Sequence, residues 1–285
     1  MSKLYQQIAD KIVIAMENGV RPWEECYSVT RSGFAKRVTG DDYRGINRLL
    51  LTFAMIEKDY QCPVWMTFNQ AKKLGGGVRK GEKASLSLFF KPLETTDEET
   101  GEDKTIPMAR TNMVFNAEQI DGLPEDFMDK HNATPEHYDN NPLERAEAFI
   151  KATKATVIHK DGTPCYKPST DEIFMPAISQ FKTAEQYYAT YLHELAHWTA
   201  HRDRLNRPIL SEFSRVNYSK EELCAELTAA FLCPSIGVKP LIDEEHAPYL
   251  AGYIKLLRDE PRAFITACSQ AEKAADYLRG LQADE

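Results

Sequence analysis

Three residues in this chain have the types and spacing of a metal site. They are His193, Glu194 and His197, within 193-HELAH-197. In an α-helix, residues four apart are neighbours on one face, so both imidazoles can reach one cation. Imidazole nitrogens bind Zn²⁺ at ~2.0–2.1 Å. Glu194 lies about 100° around the helix from His193, which sets it beside such an ion rather than on it. From there it can take a proton from a water activated at the ion and pass it to a leaving amine. With seven histidines in 285 residues, chance supplies this pattern roughly 0.015 times, so coincidence is a poor explanation.

A catalytic zinc site needs a third protein ligand and one open position. The stretch 219-SKEELCAELTAAFLCP-234 offers Glu222 and Glu226, four apart on one helical face. Glu222 is expected to ligate, with Glu226 behind it orienting a ligating histidine. Two alternatives compete. Glu222 has the spacing of a capping box with Ser219, and His201 lies one turn beyond His197. Tyr166, Tyr218 and His201 are polar enough to stabilise an oxyanion, and the sequence singles out none of them. The segment Glu172–Met175 reads either as an edge strand taking substrate as an added strand or as a plain core strand.

These side chains need elements to hold them. Thr183 and Gln186 have capping-box spacing before a helix over 183–200 that carries the motif. Further helices are expected near 143–154, 219–232 and 262–281. The last has an apolar stripe of Phe264, Cys268, Ala271, Ala275 and Leu278. A strand near 155–159 and a hairpin over 165–176 complete an α+β second half. The first half opens with a helix in which Leu4, Ile8, Ile12 and Met16 recur every four residues, ending at Gly19. A looser stretch follows to residue 60. A short helix over 67–74 then starts at Thr67, with Gln70 three residues on. Gly75, Gly76 and Gly77 stop it, a basic turn follows, and SLSLFFKPL and TIPMARTNMVF read as two strands of a hairpin. The first half is thus α+β with a small antiparallel sheet. Prolines, Asn and Asp over 121–149 mark a connection. The expected division is 1–125, a linker over 126–145, and 146–285.

Hydrophobic residues make up 42% and charged residues 27%, the balance of a chain that builds its own core. No apolar run approaches the ~20 residues of a membrane helix, and the N-terminus does not read as a signal peptide. The six cysteines lack paired spacing and are expected to be reduced, in a cytoplasmic protein. The net charge of −8 excludes simple bulk attraction to nucleic acid. It is uneven, though. Residues 1–125 hold 17 Lys+Arg against 18 Asp+Glu, and six of those acids sit together in 94–103, the expected hairpin tip. Outside that run the first half is basic.

That half also interleaves aromatics with basic and amide residues. Trp23, Tyr43, Trp65 and Phe68 are candidates to stack on unpaired bases. Arg44, Lys72, Lys73, Arg79, Lys80 and Lys83 are candidates for phosphate, aided by backbone amides that the glycines leave accessible. Asn47 and Gln70 join them as polar contacts. Buried aromatics and a solvated basic turn are the plainer meaning of the same residues.

Taken in order, PW (22–23), YRGIN (43–47), WMTFNQAKKLGGGVRKGEKA (65–84), VFNAEQIDGLP (114–124), YKPSTDEIFMP (166–176), HELAHWTAHRDRLNR (193–207) and EELCAELTAAFL (221–232) resemble the antirestriction proteins of the ArdC type. These are encoded on plasmids, phages and other mobile elements. The resemblance covers nearly the whole chain. It implies an N-terminal single-stranded-DNA-binding domain and a C-terminal zincin-like metallopeptidase domain that holds one zinc ion and acts on a protein or peptide. The second half also resembles the minigluzincins, whose third ligand is a glutamate with Ala three residues on, as in Glu222 and Ala225. Two departures stand out. The acidic 94–103 run looks inserted, and Glu24, Glu25 and Cys26 replace a second Pro-Trp. Two functions follow from the resemblance: a zinc peptidase tethered to a single-strand binder, or a DNA-coating protein whose zinc is structural.

Overall fold

A computed structural model describes residues 2–21, 23, 34–96, 103–131, 142–207, 215–238 and 247–282. The tip of the acidic run, residues 132–141 of the connection between the halves, and Glu24–Cys26 lie outside the described residues. The chain divides into two compact units. One comprises residues 31–135; the other comprises 2–30 together with 136–285.

The first unit is built on a four-stranded sheet in the order β1-β2-β5-β4. Its strands are β1 (Lys36–Arg37), β2 (Val64–Met66), β4 (Ser85–Thr96) and β5 (Asp103–Asn116). β1 runs parallel to β2, and the other pairings are antiparallel. The hairpin expected around the acidic run is present, registered from Ser85–Val114 to Thr96–Asp103. Helix α2 (Ile46–Lys58) falls in the stretch read as loose. Its run LLLTFAMI is buried at Leu49, Leu51, Thr52, Ala54 and Met55, so it shows no polar face from which a helical period can be read. Helix α3 (Phe68–Lys73) begins with the full capping box of Thr67 and Gln70. A two-stranded ribbon, β3 (Gly77–Val78) with β6 (Ile120–Asp121), follows α3 in space. Gly76 is required there, since a Cβ would stand 2.7 Å from Ile120 Cγ2. Short α4 (Phe127–His131) closes a core of Cys62, Val64, Met66, Ala71, Ala117 and Ile120.

The second unit has a three-stranded sheet, β7 (Thr156–His159), β9 (Glu172–Met175) and β8 (Cys165–Lys167), in that order. Its helices are α1 (Ser2–Glu17), α5 (Pro142–Ala152), α6 (Ala184–Thr199), α7 (Arg215–Ile236), α8 (Ala247–Asp259) and α9 (Ala263–Gly280). α7 is central and packs against α5, α6, α8 and α9. The expected grouping of 1–125 is corrected here. α1 packs on α8, with Glu17 paired to Arg258 and the Arg262 guanidinium over the Tyr5 ring. Apolar α1 residues such as Ile8, Ile12 and Met16 are thereby buried. The described cysteines are all free thiols, and no described helix is long and apolar enough to cross a membrane.

Candidate metal centre

The motif helix α6 starts where Thr183 Oγ1 accepts the Gln186 amide N–H, 3.2 Å away. Two turns on, the His193 and His197 rings stand 4.8 Å apart between centroids, near perpendicular. Their Nε2 atoms approach to 3.1 Å. The carboxylate of Glu222, from α7, meets both: 3.4 Å from its Oε2 to His193 Nε2 and 3.4 Å from its Oε1 to His197 Nε2. His193, His197 and Glu222 form the one group of potential ligands found among the described residues. The donors fit a zinc-type cation. Neighbouring corners of a tetrahedron with ~2.0–2.1 Å bonds lie ~3.3–3.4 Å apart. The capping alternative for Glu222 falls, because α7 begins at Arg215 and Ser219 lies inside it.

The electrostatics of the site are those of imidazoles among carboxylates. Burial lowers the basicity of His197, but hydrogen bonds to Glu221 and Glu222 and the Glu194 charge outweigh it and push the pKa up to about 10. His193 shifts the same way. Burial opposes the shift, and Glu222, Glu226 and Glu194 drive it. Glu222 is held well below the usual carboxylate range: desolvation works against this, and both histidines enforce it. Glu194 is buried, at 6% exposure, and its charge acts on both rings.

The group behind His197 is Glu221, in the role expected of Glu226. Glu221 Oε1 lies 3.3 Å from His197 Nδ1. Arg207 locks Glu221 with a two-pronged contact, Nη2 to Oε1 at 2.7 Å and Nε to Oε2 at 3.1 Å. Arg207 also donates to Thr199 Oγ1 and to the Ala196 carbonyl, both at 2.8 Å. One buried guanidinium thus ties the ligand helix α7 to the motif helix α6. The sequence hides this pair because Glu221 and Arg207 are 14 residues apart and follow no local spacing rule.

Other expectations resolve differently. His201 lies outside the ligand group; its Nδ1 accepts the Asp203 amide at 3.3 Å. Tyr166 donates to Asp171 at 2.8 Å and accepts from Arg204 at 3.3 Å. Arg204 also pairs with Asp171 and stacks 3.8 Å above the Trp198 ring. This cluster pins the segment after α6 to the β8–β9 hairpin. The segment Glu172–Met175 is no edge: β9 is the central strand, paired on one side with β7 and on the other with β8.

Three of the four stacking candidates are shut away. Trp65 is 1% exposed and Tyr43 is 8% exposed. Trp23, also 1% exposed, belongs to the second unit and packs against Tyr253 and Phe264. Asn47 brackets the Leu88 backbone, accepting from its N–H and donating to its carbonyl, both at 2.6 Å. Gln70 completes the cap of α3. Arg79 pairs with Glu82 at 2.8 Å and with Asp121 at 3.5 Å. The Gly75 and Gly76 amides bond to the Lys72 and Ala71 carbonyls, so they end the helix instead of standing open for phosphate. Phe68, Arg44, Lys72, Lys73, Lys80 and Lys83 are exposed.

Two family models match the chain. A family model described as a zincin-like metallopeptidase matches residues 144–270. Another, described as the N-terminal domain of anti-restriction factor ArdC, matches residues 2–115, although packing assigns α1 and Trp23 to the other unit. The chain is similar to the crystal structure of the antirestriction ArdC protein from the R388 plasmid. The metal-free form is 40% identical, with 98% of each chain covered and a TM-score of 0.80. The Mn(II)-bound form is 36% identical, with 99% of this chain and 98% of that one covered and a TM-score of 0.81. An uncharacterized protein y4eC of Sinorhizobium fredii (strain NBRC 101917 / NGR234) is 32% identical over 99% of this chain and 93% of its own. Two Escherichia coli proteins named DNA primase TraC are 34% and 35% identical over 98% of this chain, which spans only 27% and 20% of their length.

Proposed function

We propose, for a chain that belongs to the ArdC family of antirestriction proteins, that it joins a single-stranded-DNA-binding unit to a zinc-dependent peptidase unit and so protects incoming mobile-element DNA from restriction. The observation that carries the peptidase reading is the convergence of two Nε2 atoms and one carboxylate at 3.1–3.4 Å, with a buried Glu194 on the same helix turn. His193, His197 and Glu222 would hold the ion. A bound divalent ion supplies Lewis acidity for a peptide carbonyl and makes water a better nucleophile. Glu194 then accepts the proton of the attacking water and delivers it to the departing amine. Glu221 and Arg207 keep the His197 ring in its ligating orientation. The single-strand reading is supported by the exposed lysines of the first unit, Lys72, Lys73, Lys80 and Lys83.

Glu194→Gln is the deciding variant, because it keeps shape and spares the ligands. It should retain one zinc per chain by atomic absorption while peptide hydrolysis falls by about 10²–10⁴-fold. If antirestriction in cells survives the change intact, catalysis is dispensable and the metal is structural. If the purified wild type holds no stoichiometric divalent metal, the three donors do not form a metal site.

A further inference from the structure

Stacking on a base needs an aromatic or apolar face that water can reach, which the buried indoles of Trp23 and Trp65 do not have. The first unit instead exposes three large apolar side chains among its described residues: Phe68 at 55%, Met113 at 54% and Phe90 at 43%. Their positions are related. β2 pairs with β5 at Trp65–Asn116 and Met66–Phe115. Helix α3, whose first residue is Phe68, follows β2 directly and packs on β5, the strand that carries Met113. Met113 is directly opposite Leu86 on β4. Phe90 follows Leu86 by four residues and therefore lies on the same face of the hairpin, about 14 Å farther along.

The charge is basic at the Phe68 end of this row, and the hairpin acids Glu94 and Asp103 lie beyond Phe90 at the other end. Residues 65–93 and 104–117 contain eight Lys and Arg and a single acid, Glu82, which is already bound to Arg79 and Gln119. Lys72 stands one helical turn from Phe68, and Lys73 is next to it. Exposed apolar groups rimmed by cations fit a partner with flat faces and a polyanionic backbone. A protein partner of ordinary composition has no need of adjacent lysines beside the apolar groups, as Lys72 and Lys73 stand beside Phe68.

We propose that Phe68, Met113 and Phe90 form the base-contacting surface for single-stranded DNA, with Lys72 and Lys73 taking the phosphates. This rests on the single-strand reading above. The surface contacts bases through stacking and apolar faces, so it discriminates little among sequences. Duplex DNA, whose base faces are closed by stacking, is bound less well.

The test uses the full chain and a fluorescein-labelled thirty-nucleotide oligo(dT), read by anisotropy across a salt series, with a duplex of equal length beside it. Phe68→Ala with Met113→Ala should weaken oligo(dT) binding at least about tenfold. The slope of log affinity against log salt should stay unchanged, because the phosphate contacts remain. Phe90→Ala should add a smaller loss. Lys72→Gln with Lys73→Gln should flatten the slope. All these side chains are solvent-facing, so the circular dichroism and melting temperature of each variant should match wild type. If wild type binds oligo(dT) and the apolar variants bind it equally well, this surface is not the site. The surface is equally excluded if the apolar variants lose only a self-association seen by sedimentation. If wild type does not bind oligo(dT) at all, the single-strand reading fails and takes this surface with it.

Discussion

His197 is gripped from both sides. One ring nitrogen faces His193 and Glu222, and the other faces Glu221, whose carboxylate is fixed by Arg207. Glu221→Gln should therefore lower metal affinity by about 10–100-fold with the three ligands intact, as read by competition against a zinc-chelating dye. Arg207→Met, which takes the guanidinium from the buried Glu221 and leaves it His197 alone, should cost about 3–5 kcal/mol of stability in denaturant titrations. The site also predicts a pH dependence. In the metal-free protein the His197 pKa is raised from 6.5 to about 10. The stability this lends the metal-free fold is complete below pH 6.5 and is lost as pH rises through about 10. Metal must displace the bound proton, so loading near neutral pH should release protons, and apparent affinity should climb with pH. Calorimetry in two buffers of different ionisation enthalpy measures that release, and an unchanged heat refutes it. At this scale the motif is legible in the sequence because His193, Glu194 and His197 share one helix turn. Glu222 is legible through its place on the next helix. Glu221 and Arg207 are not, since their pairing exists only once α6 and α7 are packed. The buried stacking candidates escape for a related reason: residue type says that an aromatic ring is present, and only the fold says which way it faces.

Helix α1 and the Trp23 segment show how far an element's partner can lie from it in sequence. The period of Leu4, Ile8, Ile12 and Met16 announces an apolar stripe without saying what covers it. The cover is α8, more than 200 residues away, a helix that is not among those expected from the sequence. Trp23 is the neighbouring anchor, 1% exposed, with ring contacts to Tyr253 and Phe264. Trp23→Ala should remove about 3–5 kcal/mol of stability from the metal-bearing unit and leave oligo(dT) affinity unchanged. A fall in affinity with no fall in stability would return Trp23 to the DNA surface. The β7-β9-β8 order teaches the same lesson for strands. The alternation in Glu172–Met175 is readable, but its central position depends on β7 arriving parallel from upstream. Short-range signals, by contrast, come through directly. The capping box at Thr67 and the helix stop at the glycines are local arrangements between a side chain and the nearest backbone, and packing does not overrule them.

At the scale of the whole molecule, the chain passes from one unit to the other twice, at 30/31 and again at 135/136. Residues 31–135 are an insertion within the metal-bearing unit rather than a domain placed ahead of it. A fragment of 31–135 should fold alone and melt cooperatively. A fragment of 1–125 should carry α1 as an unsheltered apolar helix and self-associate on gel filtration. Removing 1–30 from the full chain should destabilise the metal-bearing unit and leave the inserted one intact. If the 1–125 fragment behaves as a clean monomer as stable as 31–135, this assignment is contradicted.

Being stitched in at both ends has a consequence for durability. Cutting the polypeptide once, at either junction, frees neither part. The leading piece stays seated by the grip of α8 on α1 and by the aromatic nest around Trp23, so a nicked molecule should travel as one species on a native gel and separate into two bands only in detergent.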